Sequence, residues 1–110
     1  MLLASEVWVA ALIRRAQLGG AFATLVRKGD ARAGAVLVRT LDRRDGKARL
    51  YAAATGGAGE PLWMQPRPGA DEDELDAYCQ RAARIDPDIW IVEIEDPDGA
   101  RFLTEAVEKS

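Results

Sequence analysis

The chain of 110 residues has no histidine and only one cysteine, Cys79. Without histidine there is no Ser-His-Asp or Cys-His relay, no haem on a proximal histidine and no His-rich zinc site. A lone cysteine cannot close an intramolecular disulfide or supply a Cys-rich zinc site, and it fits a reducing compartment. No long hydrophobic run is present. The longest apolar stretch at the N-terminal end, Val7–Ile13, is far short of the roughly 20 residues of a membrane span. The start, Met1-Leu2-Leu3-Ala4-Ser5-Glu6, carries an acid and no base, so no secretory leader and no membrane attachment are expected, and the cytoplasm is the expected location. Aromatic residues are scarce at 6%, and the formal net charge is only -3. No global positive field therefore marks the chain as a nucleic-acid binder.

What is present is ordinary globular composition, with 48% hydrophobic and 30% charged residues. The length and mixture predict one domain over 1–110 with a single core. Ser5 before Glu6 predicts an N-cap for a helix over about 6–18, which Gly19-Gly20 would stop. The run 7–13 also suits a buried strand, and periodicity leaves helix and strand open there. Phe22–Arg27 and Ala35–Leu41 are strand-like and flank a segment with glycine at 29 and 34, which predicts a hairpin. Asp45-Gly46 predicts a tight turn into a third strand at Lys47–Ala53. Residues 55–70 have the Gly/Pro chemistry of a flexible loop, pinned by Leu62-Trp63-Met64.

Asp71 then predicts the cap of a helix with acids in its first turn and Arg81 and Arg84 near its end. Leu75, Tyr78, Cys79, Ala82 and Ile85 form its apolar stripe, and Asp86-Pro87 ends it. Ile89–Glu95 is the clearest strand, with Ile89, Ile91 and Glu93 facing one way and Trp90, Val92 and Ile94 the other. Asp96-Pro97-Asp98-Gly99 is a turn, Arg101–Leu103 a short returning strand, and residues 104–110 a tail. The resulting fold class is α+β, in the order α-β-β-β-α-β-β, with a small antiparallel sheet and both helices on one of its faces.

Several patterns that resemble functional motifs fail on spacing. Gly56-Gly57-Ala58-Gly59 lacks the Lys-Ser/Thr of a phosphate loop and the spacing of a dinucleotide fingerprint. Asp96 and Asp98 begin like a calcium loop, but the glycine comes too early and the third acid is missing. Glu93 and Glu95 project from one strand face about 7 Å apart, a spacing that suits magnesium chemistry together with Asp30, or simply ion pairs to a neighbouring strand. No cofactor is implied.

Charge is unevenly distributed along the chain. Residues 1–55 hold ten Lys/Arg against four Asp/Glu, and residues 56–110 hold five against fourteen. Arg14-Arg15, Arg27-Lys28 and Arg43-Arg44 make a polyanion or nucleic-acid surface conceivable. Internal pairing of the two halves, for instance Arg39 and Arg49 with Glu93 and Glu95, is the favoured expectation.

Three stretches together carry a resemblance: Trp8–Arg15, then Gly29-Asp30 with Ala33–Val38, then Asp86–Asp96. On these, from about Glu6 to Leu103, the chain resembles a family of short bacterial proteins known only as a domain of unknown function. The resemblance implies a small single-domain cytoplasmic protein and transfers no catalytic residue. Arg14, Arg15, Arg27, Asp30, Glu93 and Glu95 beside Trp8 and Trp90 are the candidate binding residues, or else a network of ion pairs fixing helix to sheet. The function expected is a non-enzymatic binding or adaptor domain with an unknown protein partner or a second copy of itself. Nucleic-acid binding and a magnesium enzyme are the alternatives.

Overall fold

Trp90–Glu95 carries apolar side chains on both of its sides, so it needs cover on both faces and a neighbour on each edge. In the computed structural model, which describes residues 4–108, it has all of these. The elements are α1 (Ser5–Leu18), β1 (Phe22–Arg27), β2 (Val36–Asp42), β3 (Lys47–Thr55), β4 (Pro61–Met64), α2 (Glu72–Ile85), β5 (Trp90–Glu95), a 3-10 helix (Gly99–Phe102) and β6 (Ala106–Val107). The six strands form one sheet in the order β1-β5-β2-β3-β4-β6. β1 and β5 are antiparallel, β5 and β2 parallel, and β2, β3 and β4 follow as an antiparallel meander, with β6 parallel to β4. The class is α+β with an open, mostly antiparallel sheet.

The first two strands do not form the predicted hairpin, because β5 lies between them. Burial explains the outcome. β5 is buried along most of its length, whereas β1 is largely exposed and suits an edge. A parallel β2–β5 pair also needs a long crossover, and β3, β4 and α2 supply it. The expected meander of β1, β2 and β3 is thus displaced by one strand.

Both helices on one face is likewise corrected. Trp8, Val9, Leu12 and Ala16 of α1 pack with Val36, Val38, Tyr51, Trp63, Trp90, Val92 and Ile94. Leu75 and Cys79 of α2 pack with Leu37, Leu41, Leu50, Ile89 and Ile91 on the other side. Strand alternation separates the two sets, so each face of the central strands demands its own cover. Residues 7–13 are helical, which settles the ambiguity left by their apolar run.

Ser5 does not cap α1. Ala4 occupies the cap, and Ser5 is buried inside the helix with its hydroxyl donating to Gly34 O at 2.7 Å. The free N–H groups of Ser5 and Glu6 donate instead to Arg32 O and Ala31 O. The β1–β2 connector therefore performs the capping. The same connector is tied to β5: Asp30 N donates to Asp88 O, and Trp90 Nε1 donates to Asp30 O at 2.7 Å.

α2 follows the sequence reading more closely. The Asp71 carboxylate accepts from Glu74 N, although Ile85, the last residue of the helix, ends up exposed. Residues 61–64, assigned to a loop on composition, form β4, and Trp63 is among the most buried side chains. Residues 101–103 are not a strand; 101 and 102 belong to the 3-10 helix, whose Phe102 enters the α1 core. Part of the expected tail is β6, while 109–110, like the expected leaderless start at 1–3, lie outside the described residues.

Gly34 is buried where the connector crosses β5. A methyl group there would meet Asp88 O and lie 2.9 Å from Trp90 Cδ1 and Nε1. Gly34→Ala should therefore destabilise the fold by about 1–3 kcal/mol through overpacking. The measurement is urea unfolding, and an unchanged midpoint would count against this packing.

Candidate functional site

The eight residues picked from sequence do not converge. Trp8 packs against Trp63 with ring centroids 5.3 Å apart and the planes tilted by 39°, inside the α1 core. Trp90 lies in the same core with its indole N–H taken by Asp30 O. Arg14 is exposed, whereas Arg15 donates through Nη2 to Phe102 O at 3.1 Å and ties α1 to the 3-10 helix. Arg27 donates to Pro87 O, and its Nε is buried without a partner. The Asp30 carboxylate accepts from Arg32 N and Ala33 N within its own loop.

Glu93 and Glu95 point to the α2 side, away from both tryptophans. Glu93 accepts from Arg39 at 2.7 Å, directly across the β2–β5 register, and Glu95 accepts from Arg43 at 2.6 Å. Arg39 also pairs with Asp76 of α2, so one guanidinium binds helix and two strands together. Asp30 sits by the start of β5, roughly 16 Å along the strand from Glu95. The three carboxylates therefore share no point at which a magnesium ion could meet them all. Glu93 thus pairs with the neighbouring strand and Glu95 with the turn that follows it.

The charge halves meet, but not exclusively. Arg39 and Arg43 reach acids of the second half, while Arg44 pairs with Asp42 and Arg101 with Asp96 within their own halves. Hydrogen bonds from these arginines hold the carboxyls of Asp42, Glu95 and Asp96 below their ordinary range. For Glu105, burial opposes ionisation, but hydrogen bonds from Trp63 and Thr104 outweigh it and keep the carboxyl low as well. Burial pushes the Cys79 thiol up despite the neighbouring Arg39, so it is neither exposed nor activated.

A cleft that sequence reasoning missed lies beyond the α1 core. Its floor is Thr40 and Asp42 of β2 with Arg49 and Tyr51 of β3, and its wall is the turn from Asp96 to Ala100. It encloses about 240 Å³. Thr40 and Asp42 are buried polar residues on strand positions that continue the apolar row of Val36 and Val38. The one available signal was that break in the row, polar residues at 40 and 42 where strand period demands core. A second cleft of about 200 Å³ lies by β4, lined by Ala53–Thr55, Leu62, Trp63 and Glu105, but its indole N–H is already spent on Glu105 at 3.0 Å.

Fold and site together define a small sheet domain covered by one helix on each face, with five of its carboxylates held by arginines. Residues 3–104 match the model of DUF1491, a protein of unknown function, and the chain belongs to that family. It is similar to a DUF1491 family protein from Caulobacter crescentus CB15 known from a crystal structure, at 69% identity over 97% of this chain and 100% of that one, with a TM-score of 0.92. An NMR structure of a DUF1491 family protein from the same organism gives 69% identity, 99% of each chain and 0.89. The solution structure of protein Atu0922 from A. tumefaciens gives 35% identity over 100% and 99%, with 0.83. No protein of curated description matches.

The depressed carboxyls fix a pH dependence. A group whose folded pKa lies below its unfolded value contributes fully above the unfolded value and loses that contribution as pH falls through the folded one. The ordinary values here are 3.8 for Asp42 and Asp96 and 4.5 for Glu95. Melting temperature should be flat from neutrality to about pH 5 and then fall. Arg101→Gln should flatten the acid limb in calorimetry, and an unaltered limb would remove Asp96 from the account.

Proposed function

We propose that this protein is a non-catalytic binding domain of the bacterial cytoplasm that works by self-association through β1. The observation that carries this reading is an exposed apolar edge. Four of the seven large hydrophobic residues exposed among the described residues, Leu18, Phe22, Leu25 and Val26, lie in or just before β1, with Phe22 75% exposed. Such clusters mark contact surfaces more often than isolated apolar residues do. An edge strand also leaves a row of backbone donors and acceptors open.

A second copy fits this edge on charge. β1 carries one charge, Arg27, at its very end. Antiparallel pairing about a twofold axis sets the two Arg27 residues at opposite ends, roughly 17 Å apart, with the apolar residues between them. The bulge between Leu25 and Arg27 limits pairing to the first part of the strand. Engagement of Glu93, Glu95 and Asp30 by separate partners supports the non-catalytic side of the reading. Neutralisation of Arg39 and Arg43 weakens the alternative of polyanion binding.

Sedimentation over a concentration series tests this. The expected result is a reversible dimer that Leu25→Lys weakens about tenfold or more, near 1.4 kcal/mol, with unchanged circular dichroism. A monomer at every concentration, or a dimer indifferent to Leu25→Lys and Phe22→Glu, would overturn it.

A further inference from the structure

The cleft between the β2–β3 floor and the 96–100 turn is independent of that edge. Strand alternation puts Thr40, Asp42, Arg49 and Tyr51 on one face, and Thr40 and Arg49 are direct register partners. The turn sits tightly over them, since a methyl group on Gly99 would lie 2.7 Å from Thr40 Cγ2. Only Pro97 and Ala100 bring apolar side chains to a lining that is otherwise polar or glycine.

The charges of this lining fall into two sets. Asp42 and Asp96 have side chains only 9% and 8% exposed, and each is held by its own arginine, Arg44 and Arg101. Burying a carboxylate is costly, and these pairs offset that cost while building rigid walls. Arg49 and Asp98 form no ion pair among the described residues. They carry opposite charges, and both line the same cleft as Tyr51. They lie too far apart to neutralise each other, with N···O beyond the 4.0 Å of an ion pair.

Two hydroxyls complete the cleft. Thr40 is 5% exposed and Tyr51 4% exposed, and both line the cleft. With Asp42 and Asp96 answered by Arg44 and Arg101 from outside the lining, the lining itself presents one unpaired charge of each sign, Arg49 and Asp98.

We propose that this cleft binds a small zwitterion of the amino-acid class, its carboxylate on Arg49, its ammonium on Asp98, and its polar atoms oriented by Thr40 and Tyr51. A lone anion would leave Asp98 unanswered and approach Asp42 and Asp96. A lone cation would face Arg49. A ligand with both charges satisfies both, and a volume of about 240 Å³ restricts it to a few heavy atoms beyond the charged core.

Backbone amide NMR of the full chain at pH 7 is the test, with L-serine as the probe and acetate, methylammonium and glycerol as comparators. The expected result is a saturable shift confined to residues 40–42, 49–51 and 96–100 with serine and none of comparable strength with the others. Arg49→Gln and Asp98→Asn, both on exposed side chains, should each weaken binding about tenfold while the remaining spectrum stays native. Equal response to acetate or to methylammonium would reduce the cleft to a site for one charge, and equal response to glycerol would make it a polyol site. Each of these, or no saturable shift, overturns the proposal.

Discussion

The position of β5 between β1 and β2 is the constraint on which the rest of the molecule depends. Its alternation sends Trp90, Val92 and Ile94 into one core and Ile89 and Ile91 into the other. Neither helix could cover both sets, so α1 and α2 take opposite faces. The parallel pairing with β2 forces the intervening chain to cross over, and β3, β4 and α2 are that crossover. The β1–β2 connector is clamped to the start of the same strand by Asp30, Asp88 and Trp90. That clamp in turn presents Ala31 O, Arg32 O and Gly34 O to the first turn of α1.

Polar groups are arranged around this frame in three different ways. On the α2 face, Arg39 gathers Glu93 and Asp76 under partial burial, which fixes the helix to the central strands. Such a pair is weak evidence of net stability, since desolvation offsets much of the attraction, but removing one partner leaves the other uncompensated. At the rim, Arg43 and Glu95 are more exposed and contribute little to stability. Beyond the α1 core, Asp42 and Asp96 are buried with their own arginines, around a space that the protein does not fill. Of the three, the last lies beside two charged side chains, Arg49 and Asp98, that form no ion pair among the described residues.

Local chemistry was legible in the sequence, and long-range pairing was not. Asp71 with its acidic first turn marked α2, Asp45-Gly46 marked the β2–β3 turn with Gly46 at φ +72°, and the alternation of Ile89–Glu95 sorted the two cores correctly. These signals depend on a few adjacent residues. Strand order depends instead on which surfaces are left over when the chain collapses, and β1 and β2 flanking a Gly-bearing segment looked like neighbours. β4 and β6 are short and lie among loop-forming residues, so only tertiary pairing makes them strands. Ser5 had the right chemistry for a cap, yet the connector supplied the acceptors and freed its hydroxyl for Gly34. The cleft escaped notice because its floor comes from two strands and its wall from a turn more than forty residues further on.

Native-state hydrogen exchange tests the central place of β5 most directly. The account predicts that the amides of Val92 and Ile94 are among the slowest to exchange and open only with global unfolding, together with those of β2, while β1 exchanges faster through local fraying. Amides of β5 that exchange as fast as those of β1, or that open separately from β2, would contradict it.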